Sequence, residues 1–187
     1  MRDLIVTENI TLDGVVDADG GWFQPAGEPE TDQSDALGVL RAQMAAADAF
    51  LVGRVTFEQM RGYWPEQTDD ATGIAAYLNT IRKYVVSGTL TDPGWEPTTV
   101  LRGDPMTEIR ALKEAQGRDI VVTGSVRLAR ALVGSGLVDE YRLFVYPVAL
   151  GRGRRLFPDG VEAHGLRLAE SRPFRSGVVL LRYRTRA

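Results

Sequence analysis

Apolar residues along the chain fall into short runs separated by longer amphipathic stretches, the pattern of strands alternating with helices. Leu4, Val6, Ile10 and Leu12 share one face of a strand over about 3–12. Asp13-Gly14 and Asp19-Gly20-Gly21 mark turns in an irregular stretch reaching about residue 31. Asp32 or Ser34 can cap a helix over about 35–47, with Leu37, Leu40, Met44 and Ala47 on one side. The apolar run Ala49–Val52 ends at Gly53, and Thr56 and Gln59 then stand at capping-box spacing for a short helix. A helix over about 71–80 precedes the strand Tyr84–Ser87, and Thr98–Arg102 reads as another strand. Asp104 as N-cap and Pro105 at the first position open a helix that Gly117 stops.

Ile120–Thr123 has the make-up of a buried strand, and Gly124-Ser125 leads into a helix with Leu128, Ala131 and Leu132 on one face. Residues 138–146 form a long strand apolar on both faces, so it is either central in a sheet or covered by a partner. Asp139-Glu140 heads it, where solvated carboxylates are common. Strands near 166–173 and 177–184 flank a turn at Arg175-Ser176-Gly177, a C-terminal hairpin. The reading is a single α/β domain over residues 1–187, with 13–31 and 147–165 as loops beside a site.

Composition narrows the chemistry. Hydrophobic residues make up 44% and charged residues 25%, so a folded core is expected. The chain has no cysteine and one histidine, His164, which excludes disulfides, thiolate metal sites and a cysteine nucleophile; no metal is expected. No apolar run approaches the roughly 20 residues of a membrane helix, and Met1–Thr7 reads as a strand rather than a leader, so a cytoplasmic protein is expected.

The net charge of −3 divides unevenly: residues 1–80 carry 4 Arg against 14 acids, and residues 152–187 carry 9 Arg against 3. Mutual attraction within one fold accounts for that. The basic tail lacks the aromatic interleaving of a nucleic-acid face, and no nucleic-acid or membrane partner is expected.

Two junctions share a design. At Gly53 and at Gly124 a short apolar strand ends, glycine turns the chain and a helix begins. The unsatisfied first amides of a helix suit an anion. Gly53-Arg54-Val55-Thr56 adds a guanidinium and a hydroxyl, and Gly124-Ser125 adds another hydroxyl. Two such junctions fit a ligand with several phosphates, although each alone also reads as an ordinary helix start. Arg82-Lys83 either meets a 2′-phosphate or is a solvated strand start. Asp13 ends the first strand as a carboxylate near the crevice, or as a turn aspartate bonded to its own backbone. Trp22 and Phe23 either cover a planar ligand or pack their loop, and His164 reads as an exposed or satisfied loop histidine.

Taken in order, Thr11-Leu12-Asp13-Gly14, Gly53-Arg54-Val55-Thr56-Phe57-Glu58, Lys83–Ser87, Thr123-Gly124-Ser125-Val126-Arg127-Leu128, Gly136–Glu140 and Pro147–Phe157 resemble the dihydrofolate reductase-like superfamily. The likeness covers nearly the whole chain. It is greatest to the branch of the riboflavin-biosynthesis pyrimidine reductase C-terminal domain and its stand-alone relatives; with no deaminase half in the sequence, the bifunctional riboflavin enzyme itself is not expected. The resemblance implies a three-layer α/β/α fold, a mostly parallel central sheet of about eight strands and a C-terminal antiparallel hairpin. It implies NADPH across the strand ends and a homodimer. By family pattern Gly53, Arg54, Val55 and Thr56 hold phosphates, Ser87 and Gly88 flank the adenine-side ribose, and Gly124, Ser125, Val126, Arg127 and Leu128 cradle the pyrophosphate. Asp13 is the candidate catalytic residue, Trp22 and Asp35 line the substrate pocket, and Asp32 is an alternative helix carboxylate. The implied activity is NADPH-dependent hydride transfer to a small pyrimidine- or pterin-like heterocycle. A dinucleotide-binding module without turnover is the alternative.

Overall fold

The computed structural model describes residues 1–18, 21–23, 32–163 and 165–185. His164 and most of the loop after Phe23 lie outside them. Eight strands form one sheet: β1 (Leu4–Thr11), β2 (Ala47–Gly53), β3 (Arg82–Val86), β4 (Thr98–Leu101), β5 (Asp119–Val122), β6 (Glu140–Tyr146), β7 (Arg167–Pro173) and β8 (Val179–Arg184). Their order is β4-β3-β2-β5-β1-β6-β8-β7. The first six in that order run parallel, and β8 and β7 are antiparallel, closing the C-terminal hairpin through the turn at 174–178. The helices are α1 (Ser34–Ala46), α2 (Arg54–Arg61), α3 (Ile74–Thr80), α4 (Pro105–Glu114) and α5 (Val126–Val133).

Alternation along the strands sends side chains to two apolar layers. Leu4, Val6, Leu51, Ile120 and Val122 pack under Ile109 and Leu112 of α4 and Leu128 and Leu132 of α5. Phe50, Val52 and Val85 pack on the other face against Phe57 of α2 and Ala75 and Leu78 of α3. A third cluster, Phe174, Val178 and Leu180, meets Ala36 and Val39 of α1 at the hairpin end. The apolar pattern on both faces of β6 follows from its place between β1 and β8.

Several local expectations shift. β1 stops at Thr11, and Leu12 lies in the following turn, 67% exposed. Ala47 opens β2 instead of closing α1, whose N-cap is Gln33 without a side-chain cap. Thr56 is no cap: α2 begins at Arg54 behind Gly53. On α5, Ala129 and Val133 are buried with Leu128 and Leu132, while Ala131 faces outward. The α4 start is as read, Asp104 accepting from the Thr107 N–H at 2.9 Å behind Pro105.

The charge asymmetry is spent inside the fold. Arg154 pairs with Asp17, Arg184 with Asp3, and Arg175 with Asp32, so tail arginines clasp acids of the first third of the chain. Glu140 is not solvated, and Asp139, though partly exposed, is engaged by two donors. Asp139 accepts from the Leu4 N–H at 2.6 Å and pairs with Lys113. Glu140 is fully buried among Arg142, Arg182 and Arg184.

Candidate functional site

The carboxyl ends of β3, β2, β5, β1 and β6 stand in a row, because these neighbours are all parallel. In such sheets the crevice outside the carboxyl ends is where ligands bind. Gly53 ends β2 and Gly124 follows β5, so the two glycine junctions are brought side by side. Ser125 Oγ accepts from the Thr56 N–H at 3.4 Å, linking the start of α5 to the first turn of α2. A Cβ on Gly53 would lie 2.4 Å from Ser125 Oγ, and one on Gly124 would lie 3.0 Å from Thr56 Oγ1. Gly124 also holds φ +63°, a left-handed conformation that suits glycine. The junctions are therefore built as one unit.

Two helix starts, each with first-turn amides that no intrahelical carbonyl can satisfy, point at one place. Val126, Arg127 and Leu128 supply these amides from α5, and Arg54 and Val55 from α2. Arg54 is exposed and pairs with Glu58 one turn on, at 2.8 Å. At the next strand end, Ser87 Oγ accepts from the Thr89 and Leu90 amides at 3.1 and 2.9 Å, and Gly88 has open space around it. The stretch gathers two helix starts and a glycine-flanked turn at neighbouring strand ends, an arrangement whose free amides suit an anion.

The basic pair at 82–83 is not part of it. Both residues stand at the amino end of β3. Lys83 is fully buried, its ammonium donating to the Leu78 and Ile81 carbonyls at 2.7 and 3.1 Å and lying 4.6 Å from the Trp95 ring centroid. Arg82 lines a cleft of about 560 Å³ at the far end of the sheet, with Arg2, Asp48, Tyr77 and Arg118. Arg102, just beyond β4, is the cation on the crevice side that sequence reading passed over. It donates to the Leu90 carbonyl at 2.6 Å, within the turn that Ser87 organises.

On the other flank, the stretches around 13–17 and 148–156 pair with each other. Val15 and Arg155 form an antiparallel bridge, and Asp17 accepts from the Arg154 N–H at 2.5 Å. Asp13 is the centre of this joint. Its Oδ1 accepts from Thr11 Oγ1 at 2.6 Å and the Leu150 N–H at 3.2 Å, and its Oδ2 from the Gly151 N–H at 2.7 Å. The Thr11 hydroxyl first, then the two amides, bring its pKa down to about 2. An ionised carboxylate with both oxygens engaged suits holding two loops together and is a poor proton donor. Asparagine would not mimic it, because its amide would set an N–H against a donor.

Trp22 donates to the Asp17 carbonyl at 2.6 Å and stacks edge-on against Tyr146, the last residue of β6, with centroids 5.3 Å apart. Phe23 joins the same group. Asp35 accepts from the Arg175 N–H at 3.0 Å, and Asp32 pairs with the Arg175 side chain. Asp35 in the first turn of α1 and Asp32 just before the helix thus anchor the hairpin turn.

Glu8 was missed. It lies on β1, 8% exposed, and its Oε1 accepts from the Gly124 N–H at 2.8 Å. Burial pushes its pKa up to about 8, against a smaller lowering by that amide. Alternation was the available signal, since position 8 shares the inward face of Leu4, Val6 and Ile10.

Comparison with known proteins agrees with this architecture. The chain is 30% identical over 187 residues to the uncharacterized protein YyaP of Bacillus subtilis, covering 97% of this chain and 94% of that one. It is 25% identical to YwjB of the same organism, covering 96% of each. Among solved structures, a protein of Shewanella sp. PV-4 named for riboflavin biosynthesis matches with a TM-score of 0.73 at 20% identity, over 100% of both chains. A pyrimidine reductase-like protein of Corynebacterium diphtheriae matches at 0.60 and 15% identity, over 100% of this chain and 92% of that one. The family model of the RibD C-terminal domain matches residues 2–180, and the chain belongs to that family, within the dihydrofolate reductase-like superfamily.

Proposed function

We propose that this protein is an NADPH-dependent reductase of a small pyrimidine- or pterin-like heterocycle. The observation that carries the reading is the interlocked pair of helix starts at the ends of β2 and β5, in a family of reductase type. NADPH, when bound, would supply the hydride. Val126–Leu128 and the Gly53–Thr56 turn would hold its pyrophosphate, with Gly124 and Ser125 shaping the cradle. Ser87, Gly88 and Arg102 would meet the adenosine end. Trp22, Phe23 and Tyr146 would border the substrate and keep water from the reacting rings. Asp13 would orient the substrate side by fixing the 148–151 loop against the end of β1.

The test is fluorescence titration with NADPH, followed by nicotinamide oxidation with unreduced heterocycles of both classes that still carry the C=N or carbonyl group to accept the hydride. Binding without turnover on any of them would favour the dinucleotide-binding module. Cofactor choice gives a sharper check. A 2′-phosphate needs charge-assisted partners, and Arg102 and Arg54 are the cations at these strand ends. Arg102→Ala should weaken NADPH by about tenfold, within the usual range for a charge-assisted contact, and leave NADH nearly unchanged. Equal losses for both cofactors would remove Arg102 from that role.

A homodimer is part of the proposal. β7 has a neighbour on one side only, is exposed along most of its length and presents Leu168 at 49% exposure. Sedimentation at micromolar protein should show twice the 20.5 kDa chain mass; a monomer alone would refute it.

A further inference from the structure

We propose that Glu8 is a proton-dependent gate on the phosphate cradle: neutral, it holds the Gly124 amide and leaves the cradle uncharged, and ionised, it repels the phosphates. The inference rests on the cofactor reading above and adds to it a control that the dinucleotide site alone does not require.

Glu8 interrupts an otherwise apolar row on β1, between Val6 and Ile10. Opposite it on β6 is Leu143. Its Oε1 is committed to Gly124, the residue that turns the chain into α5. Its Oε2 has no partner among the described residues. Among those residues no buried side-chain nitrogen or oxygen lacks a partner, so Oε2 carries the small remaining exposure of this residue. A carboxyl group more than nine-tenths buried is thus fastened to the cradle by one oxygen and open at the other.

A structural pin would need only an acceptor, and an amide or hydroxyl would serve. A carboxyl adds a charge that can be switched. The titratable and charged groups of the elements around it are Tyr141 of β6, Arg127 and Arg130 of α5, and Arg61 and the Arg54–Glu58 pair of α2; Glu140, Arg142 and Tyr146 of β6 alternate to the face of the sheet opposite Glu8, and Asp119 of β5 lies at the amino end of its strand, beside Arg142. Burial holds Tyr141 protonated up to about 12. None of the others contributes to the Glu8 shift, which burial raises and the Gly124 amide partly lowers, to about 8. At neutral pH Glu8 is therefore mostly uncharged and no salt bridge offsets its ionisation.

Linkage makes this a two-way effect. Phosphates bound at the starts of α2 and α5 raise the cost of ionising Glu8, so binding above the Glu8 midpoint takes up a proton. Without ligand, a carboxyl whose folded pKa exceeds its unfolded value keeps its full contribution below about 4.5 and loses it as pH rises to about 8.

The experiment is calorimetric titration of NADPH into wild type and Glu8→Gln between pH 7 and 9.5, with wild-type Glu8 followed by carboxyl ¹³C NMR. Wild-type Kd should rise above pH 8 by up to about tenfold per pH unit, the limit for one linked proton. Glu8→Gln should flatten that rise. In wild type the NMR midpoint of Glu8 should move upward when NADPH saturates the site, a readout that needs no variant. A flat wild-type profile, an equal rise in Glu8→Gln or an unmoved midpoint would overturn the gate while leaving the cofactor reading intact. No NADPH binding at pH 7 would overturn the cofactor reading, and the gate with it.

Discussion

Replacing Glu140 by glutamine should cost the fold about 3–5 kcal/mol, the usual penalty for removing one partner from a buried ionic cluster. The carboxylate is fully buried at the start of β6. Its Oε1 accepts from Arg142 Nε at 2.6 Å and Arg182 Nε at 2.9 Å, and its Oε2 from Arg184 Nε at 3.1 Å. Arg142 is itself buried, and its other acidic neighbour, Asp119, is 3.8 Å away. Glutamine would set an amide N–H against guanidinium donors and leave a buried cation under-compensated. Urea unfolding would read the loss as a lower midpoint at unchanged slope; a change within 0.5 kcal/mol, the range of ordinary surface substitutions, would mean the cluster is dispensable.

The same carboxylate sets an acid limit. Burial alone would raise its pKa, but the bonds from Arg182 and Arg142 outweigh that and bring it to about 2. A depressed folded pKa gives stability above the unfolded value that is lost as pH falls through the folded one. Wild type should thus lose stability between about pH 4.5 and 2, and Glu140→Gln should lose less over the same window.

Gly53→Ala should weaken NADPH binding at least tenfold, on the scale of a misplaced charge-assisted contact, while the backbone keeps its conformation. Gly53 sits at φ −81° and ψ 155°, which alanine adopts freely. What alanine cannot do is fit: its Cβ would be 2.4 Å from Ser125 Oγ and 3.0 Å from Ser125 Cβ. The α5 junction would have to move away from α2, opening the cradle. Gly124→Val differs, because φ +63° and Thr56 at 3.0 Å both oppose it. It should lose binding and also about 2 kcal/mol or more of stability. Thermal melts alongside NADPH titration separate the two. Wild-type affinity in Gly53→Ala would mean that the phosphates lie elsewhere.

Strand and helix succession was legible because each element carries its own period and punctuation. Asp104-Pro105 and the glycine junctions act through neighbours a few residues away. The errors came where partners arrive from elsewhere. Arg82 and Lys83 look like a pair in sequence, yet adjacent strand residues face opposite sides, so the two could not share one phosphate. Glu140 reads as a solvated strand start until β8 is laid antiparallel beside it, bringing Arg182 and Arg184 alongside. The contacts of Asp32 and Asp35 with Arg175 likewise appear only once the 174–178 turn is placed. At the cradle, adjacency of the two junctions depended on β2 and β5 being neighbours, which strand order alone settles.

The burial of Lys83 has a chemical corollary. The chain contains only one other lysine, Lys113, which is 5% exposed, with its ammonium donating to the Leu137 carbonyl at 2.5 Å and pairing with Asp139. Every other side-chain cation is an arginine, apart from the single histidine. Acylating reagents therefore meet no exposed lysine side chain in the folded domain, and lysine-specific proteolysis must wait for the chain to open. Amine labelling becomes a gauge of local opening, with Lys83 reporting on the α3–β3 corner and Lys113 on the end of α4. Neither needs an engineered probe.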